Sequence, residues 1–85
     1  MKIQLRFFAS LREALGISEE TLEVPDSVQK IAALRTYLAN RGGVWAQSLA
    51  EGKALRCALN QSMVDASASL QEGAEVAFFP PVTGG

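Results

Sequence analysis

The chain has 85 residues, 48% of them hydrophobic, a net charge of −1, no histidine and one cysteine. This length suits one domain, and the apolar fraction is enough for a core, which argues against a disordered chain. The mixed charges offer no electrostatic surface for nucleic acid, and no apolar stretch is long enough for a membrane span or a signal peptide, so we expect a cytoplasmic protein without nucleic-acid or membrane partners.

The first third of the chain predicts a strand, a short helix and a second strand. Residues 2–8 alternate in polarity, with Ile3, Leu5 and Phe7 on one face, as in a strand that is buried on one side. The S-x-x-E pattern of Ser10-Leu11-Arg12-Glu13 is a capping box, which predicts a short helix that starts at Ser10 and ends at Gly16. Residues 19–24 then alternate as a second strand.

The main helix is predicted to begin at Asp26, with Asp26 as N-cap and Gln29 at the third helical position. Gly42-Gly43 would end it. Residues 44–51 suggest a further helical turn that covers the core. Four apolar residues recur at three- and four-residue intervals and give the main helix a buried face: Val28, Ile31, Leu34 and Leu38.

Three more strands complete the predicted set. Asn60-Gln61 separates the apolar segments 55–59 and 62–64, which predicts a tight hairpin. Residues 71–74 form a turn, and 75–79 are the last strand. One main helix packed on one face of a mixed sheet is a stable two-layer arrangement for this size. The order therefore predicts an α+β fold of the β-grasp, or ubiquitin-like, type over residues 1–79, with adjacent first and last strands at the centre of the sheet and a flexible tail over 80–85.

The end of the chain is its most informative feature. From Val76 to Gly85 no side chain is charged, so the terminal carboxylate is the only ionised group there. Gly84 and Gly85 have no Cβ and can enter a narrow channel. Without histidine the chain lacks the usual general base and metal ligand, so we expect no metal site and no active-site cleft of its own. The alternatives are a reactive carboxylate delivered to another protein, or an inert tail.

Three apolar residues are predicted to form a binding surface. If Phe7 and Phe78 point inward, then Phe8 and Phe79 point outward on neighbouring strands, and Met63 shares their parity. Exposed aromatic clusters of this kind mark interfaces, and the alternative is that a loop of the same chain covers them. Arg6 and Arg12 would supply a polar rim.

The only cysteine, Cys57, alternates with Leu55 and Leu59 on the inward face of a strand. A free cysteine in such a position usually behaves as a small core residue. We therefore expect a buried and inert thiol, in preference to a thiol that relays sulfur.

The residues also resemble a known family. Phe7-Phe8-Ala9, Leu11-Arg12-Glu13, Val64 and above all the ending from Glu75 to Gly85, which reads E-V-A-F-F-P-P-V-T-G-G, resemble the MoaD family. These are the small subunits of molybdopterin synthase, ubiquitin-like sulfur carriers related to ThiS, the carrier of thiazole synthesis. The resemblance extends over essentially the whole chain, and the ending is its most specific part.

The resemblance implies a two-stage chemistry at Gly85. The preceding residue, Gly84, has no side chain and so leaves Gly85 accessible in a narrow channel. An E1-like adenylyltransferase, which consumes ATP, would convert the carboxylate to an acyl-adenylate. Sulfur from a desulfurase system would then displace AMP and leave a thiocarboxylate. The chain itself would hold no stable cofactor.

The resemblance also implies a partner, the large catalytic subunit, in an assembly of two small and two large subunits. The tail residues Pro80, Pro81, Val82 and Thr83 would enter its pocket, where sulfur passes to a pterin precursor in molybdenum cofactor biosynthesis and builds the dithiolene that later holds molybdenum or tungsten. Phe8, Met63 and Phe79 would bind the partner outside the pocket. This chain would be the sulfur-donating, non-catalytic subunit.

Two other functions stay open. One is a related ubiquitin-like role, either a sulfur carrier for thiazole synthesis or a modifier attached to lysines. The other is an interaction domain with an inert tail. The F-F-P-P-V-x-G-G ending favours the carrier of molybdopterin synthase.

Overall fold

The computed structural model describes residues 1–81, which form one five-stranded mixed sheet covered on one face by helices. The elements in chain order are β1 (Lys2–Phe7), α1 (Ala9–Leu15), β2 (Glu19–Glu23), α2 (Ile31–Ala39), α3 (Gly43–Leu49), β3 (Arg56–Leu59), β4 (Ser62–Val64) and β5 (Glu75–Phe79). The strand order is β2-β1-β5-β3-β4, and β1 runs parallel to β5. The predicted β-grasp architecture, with the first and last strands side by side, is confirmed.

Strand alternation separates the two faces of the sheet, because successive side chains point to opposite sides. The inward residues of β1 and β5 are at most 1% exposed: Ile3, Leu5, Phe7, Val76 and Phe78. They pack with Ile31, Leu34 and Leu38, the buried stripe of α2. The predicted strand parity and the predicted helix face are therefore both confirmed.

Aromatic packing joins α3 to this core. The Phe7 ring stacks on Phe78 at a centroid distance of 6.4 Å, and the edge contact of Trp45 with Phe7 is at 5.7 Å. Leu49 is 1% exposed. The prediction that the segment after Gly42-Gly43 is a further helical turn covering the core is confirmed.

The predicted start of the main helix is wrong. Residues 25–28 form a turn in which the Val28 N–H donates to Pro25 O, and α2 begins five residues after Asp26, at Ile31. The side chain of Gln29 donates to Asp26 O within this turn. The first N–H groups of α2 donate instead to Ala68 O and Ala66 O at 3.1 and 2.9 Å. A loop distant in sequence therefore replaces the N-cap side chain, since these donors need only a well-placed acceptor.

The other helix boundaries also differ from the prediction. α1 begins at Ala9 with Phe8 as N-cap and no side-chain cap, so Ser10 lies inside the helix and the capping box is not formed. Its end at Gly16, in the left-handed conformation at φ 79°, is as predicted. α2 ends at Ala39, before the two glycines, and Gly42 precedes α3.

The two predicted tight turns are confirmed. Asn60 and Gln61 both have positive φ, 50° and 70°, as a two-residue hairpin between β3 and β4 requires. The side chain of Asn60 accepts a hydrogen bond from the Glu75 N–H at 3.0 Å, which ties this hairpin to β5. Gly73, at φ 80°, makes the turn before β5.

A charged pair fastens the edge strand β2 to the helical layer. Arg41 donates to both carboxylate oxygens of Glu20 at 2.9 and 2.6 Å, and its guanidinium lies 4.4 Å from the centroid of the Trp45 ring. The hydrogen bonds from Arg41 lower the pKa of Glu20 below its ordinary value. Such a bidentate pair also fixes the geometry between β2 and the α2–α3 connection. No helix within residues 1–81 is long and apolar enough to cross a membrane.

Replacing Leu34 by alanine tests the core. Leu34 is 0% exposed, and large-to-small changes at such sites lower the free energy of unfolding by about 2–5 kcal/mol. For a domain of this size that is a large share of the total stability. Urea denaturation followed by circular dichroism measures the loss. Thr36→Ala, on the exposed side of the same helix, should change it by less than about 0.5 kcal/mol; an unchanged midpoint for Leu34→Ala would contradict the packing.

Candidate docking surface at the root of the C-terminal tail

Phe8 and Phe79 meet on the sheet face opposite the helices. Their rings form an edge-to-face pair with centroids 6.5 Å apart, and Phe8 is 42% exposed. Parallel pairing of β1 with β5 sets Phe7 opposite Phe78, so the residues that follow emerge together on the outer face. No loop within residues 1–81 buries Phe8. The alternative that a loop of the same chain covers these rings is therefore wrong for the described residues.

A left-handed residue makes this exposure possible. Ala9 has φ 55°, an uncommon conformation for a residue with a Cβ. It turns the chain sharply from β1 into α1 directly after Phe8, and Phe8 therefore stays beside Phe79. Ala9 lines the same surface depression as both rings.

The two rings line a shallow apolar groove of about 400 Å³, the outer groove. Ala58 and Ala77, paired across β3 and β5, are 9% and 7% exposed and form its floor. Pro80 closes the end at which the chain leaves β5. Small floor residues between large walls leave room for a partner's side chain, and exposed apolar surface of this kind usually marks an interface. The full lining is Phe8, Ala9, Ala58, Gln61, Glu75, Ala77, Phe79 and Pro80.

Met63 lies on the same face, next to the groove but outside its lining. It pairs with Ala58 across β3 and β4, which confirms the predicted outward parity, and it is 53% exposed. A flexible, exposed methionine beside two phenylalanines extends the apolar surface toward the β4 edge of the sheet.

The polar rim contains Arg6, as predicted, and two acidic residues that the sequence analysis did not predict, Glu19 and Glu75. Arg6 stands over the Phe8 ring at 5.8 Å and lies 3.8 Å from Glu19 and 3.9 Å from Glu75. The two acidic neighbours come from β2 and β5, whose register with β1 is not readable from local sequence. Arg12, predicted for the same rim, lines a separate depression beside Gly16.

The structure describes the tail only as far as Pro81. Pro80 and Pro81 are half-buried and follow β5 directly, as expected where proline ends a strand. Val82, Thr83, Gly84 and Gly85 lie outside the described residues, so their predicted roles stay predictions. The structure therefore places the root of the tail at the end of the outer groove.

Cys57 occupies the opposite, inward face. It is 9% exposed, and its Sγ donates to Val64 O at 3.4 Å. Burial, with a smaller contribution from Asp65, raises the pKa of the thiol above its ordinary value. The prediction of a buried thiol is confirmed, and within residues 1–81 no cluster of three or more Cys, Asp or Glu side chains could hold a metal ion.

A β-grasp domain whose last strand runs from the centre of the sheet into a proline-led tail beside an apolar face defines a ubiquitin-like protein. The chain belongs to the ThiS family, whose model matches residues 5–85.

Two curated relatives, both called molybdopterin synthase sulfur carrier subunit, come from Escherichia coli (strain K12) and Haemophilus influenzae. They are 43% and 39% identical over 83 residues, which covers 98% of this chain and 99% of each relative. Among solved structures, SAMP1 from Haloferax volcanii has a TM-score of 0.76 at 20% identity. One chain of a complex of subunits 1 and 2 of the molybdopterin-converting factor from Helicobacter pylori has a TM-score of 0.67 at 23% identity. Both structural alignments cover 100% of each chain, and both support the fold.

The buried thiol makes a testable prediction. Thiolate is the form that reacts with iodoacetamide, and a raised pKa means that less thiolate is present at neutral pH. Cys57 should therefore be alkylated far more slowly in the folded protein than in urea, and its rate should keep rising with pH beyond the point at which the rate of a free cysteine levels off. Mass spectrometry of time points measures both. Equal rates with and without urea would contradict the burial.

Proposed function

We propose that this chain is the sulfur carrier subunit of molybdopterin synthase. The observation that carries the proposal is the pair of relatives with that name, aligned over 98% of this chain. The outer groove at the root of the tail supports it independently, because a carrier must hold its partner while its end reaches into the partner's active site. A cytoplasmic location is part of the proposal.

The first step activates Gly85. A carboxylate is a poor acyl donor because oxide is a poor leaving group. An E1-like adenylyltransferase would let a carboxylate oxygen attack the α-phosphate of ATP, which releases pyrophosphate and forms an acyl-adenylate. The terminal sulfur of a persulfide, supplied by a desulfurase system, would displace AMP. A thiol would then reduce the resulting acyl disulfide and free the thiocarboxylate.

The second step transfers the sulfur from the thiocarboxylate to the pterin precursor. The large subunit would take the tail into its pocket and supply the acid–base groups that transfer sulfur to the pterin precursor. This division suits a chain without histidine. The Helicobacter pylori structure is a complex of subunits 1 and 2, which supports a large-subunit partner here. We keep two small and two large subunits as the expected assembly.

A second candidate shares the same end chemistry. The family model carries the name ThiS, which favours a sulfur carrier of thiazole synthesis as the runner-up. A ubiquitin-like modifier would instead join Gly85 to a lysine. Reconstitution separates these functions. Only a sulfur carrier subunit of molybdopterin synthase yields the pterin dithiolene when the charged protein is mixed with the large subunit and the precursor.

The proposal predicts a thiocarboxylate at Gly85. After incubation with the activating enzyme, ATP and a sulfur source, intact-mass analysis should show one oxygen replaced by sulfur, localised to the C-terminal peptide. Deleting Gly85, or adding residues after it, should abolish charging without lowering the melting temperature, because the core lies within residues 1–79. Cys57→Ala is the matched control and should charge normally. Sulfur found on Cys57 instead would overturn the proposal.

The proposal also predicts how the outer groove binds. Phe8→Ala and Phe79→Ala should each leave the isolated domain folded and weaken the complex with the large subunit by about 2 kcal/mol or more, as central aromatic anchors do. Calorimetric titration measures the affinity, and circular dichroism checks the fold. Tyr37→Ala, an exposed aromatic on α2 and so on the helical layer, is the control and should bind normally. Full affinity of both phenylalanine variants would place the docking face elsewhere.

A further inference from the structure

Strained backbone is concentrated at the outer groove. Within residues 1–81, three residues other than glycine have positive φ: Ala9 at 55°, Asn60 at 50° and Gln61 at 70°. Ala9 and Gln61 line the outer groove, and Asn60 directly precedes Gln61. Asparagine adopts this conformation readily, whereas glutamine does so at a cost. Such outliers cluster at functional sites, so the side chain of Gln61 is a candidate for a role outside the turn.

Hydrogen bonds fix Gln61 at one end of the groove. The Asn60 N–H donates to Glu75 O at 2.8 Å, and the Asn60 side chain accepts from the Glu75 N–H at 3.0 Å. These two bonds fasten the hairpin to the start of β5, whereas Pro80 follows the end of that strand. Gln61 and Glu75 both line the groove, and they form its polar end, opposite Pro80.

The polar end carries negative charge. Glu75 is the one ionisable side chain among the described residues that line the groove. Arg6 lies 3.9 Å from Glu75 and 3.8 Å from Glu19, too far to donate a hydrogen bond to either. One guanidinium between two carboxylates leaves a net charge of −1, and Glu75 keeps acceptor positions for another donor. The basic residue Arg56 pairs with Phe79, toward the other end of the groove and outside its lining.

We propose that the polar end, through Gln61 and Glu75, binds a guanidinium group of the partner, while the apolar part of the groove takes the aliphatic side chain beside it. The inference rests on the proposed function for the identity of the partner, the large subunit, and adds the chemistry of what that subunit presents. The carboxylate complements the charge, and the amide oxygen of Gln61, an exposed residue, is a second acceptor. A guanidinium has several donors in one plane and can serve both acceptors, whereas an acidic group would be repelled.

This role accounts for glutamine at a strained turn position. Glycine is favoured there because it adopts positive φ without a steric cost, but glycine offers no amide to a partner. Gln61→Gly should therefore leave the melting temperature unchanged or higher and yet weaken binding of the large subunit about three- to tenfold, the value of a hydrogen bond. A purely structural role would lower both together, and a Gln61→Gly variant with full affinity would remove Gln61 from the binding site.

Calorimetric titration with the large subunit at several salt concentrations tests Glu75. Glu75→Gln keeps the shape and removes the charge, so it should raise Kd about tenfold, as for a charged hydrogen bond. It should also flatten the salt dependence, because one screened charge pair is lost. Glu23→Gln, which removes an exposed carboxylate of β2 outside the groove lining, is the matched control and should leave Kd within about twofold. Circular dichroism checks each fold. Wild-type affinity and salt dependence in Glu75→Gln would overturn the inference.

A second measurement needs no large subunit. The probe is the capped dipeptide acetyl-leucyl-arginine amide at millimolar concentration, and its citrulline analogue, which has the same shape without the charge, is the control. The arginine probe should shift the backbone amide resonances of Gln61, Glu75 and Ala77 more than the analogue does, and Glu75→Gln should remove the difference. Equal shifts from both probes would overturn the inference. A wild-type chain that does not bind the large subunit would refute the proposed function instead, and the two probes would still test the groove.

Discussion

The parallel pairing of β1 with β5 is the constraint on which the rest of this structure depends. It brings together the two ends of the chain at the centre of the sheet, with Phe7 opposite Phe78. Because successive side chains on a strand point to opposite faces, this one register decides both layers. Phe7 and Phe78 enter the core, and their sequence neighbours Phe8 and Phe79 meet outside.

The two aromatic pairs therefore have the same side chains in different environments, one inside the core and one on the outer face of the sheet. The inner pair is 1% exposed and stabilises the fold. The outer pair contributes less to folding, since Phe8 keeps 42% of its surface in water, and that surface remains available to a partner. A slip of one residue in the register would exchange the two pairs, so the packing of the core also fixes which phenylalanines line the outer groove.

Long-range contacts also hold the helical layer in place. Arg35 of α2 donates to Ala50 O and Lys53 O in the loop between α3 and β3, and the salt bridge between Arg41 and Glu20 holds the edge strand β2. Both depend on contacts between residues distant in the chain.

Much of this protein was readable from local sequence. Alternation in residues 2–8 and 75–79 indicates the inward faces because burial on one side imposes a period of two. The spacing of Ile31, Leu34 and Leu38 indicates the buried face of α2 for the corresponding helical reason. The glycine ending and its uncharged lead suggest the chemistry, because these features depend on residue type alone.

The tertiary structure decided what depends on partners from elsewhere in the chain. The capping pattern at Asp26 failed because the backbone donors of α2 found carbonyls in the distant 66–68 segment, and a side-chain cap is only one way to satisfy them. The pattern at Ser10 failed because α1 begins one residue earlier, at Ala9, without a side-chain cap. The acidic neighbours of Arg6 and the carbonyl contacts of Arg35 follow from strand register and loop path. Neither leaves a local signal, because each is set by which segments the core brings together.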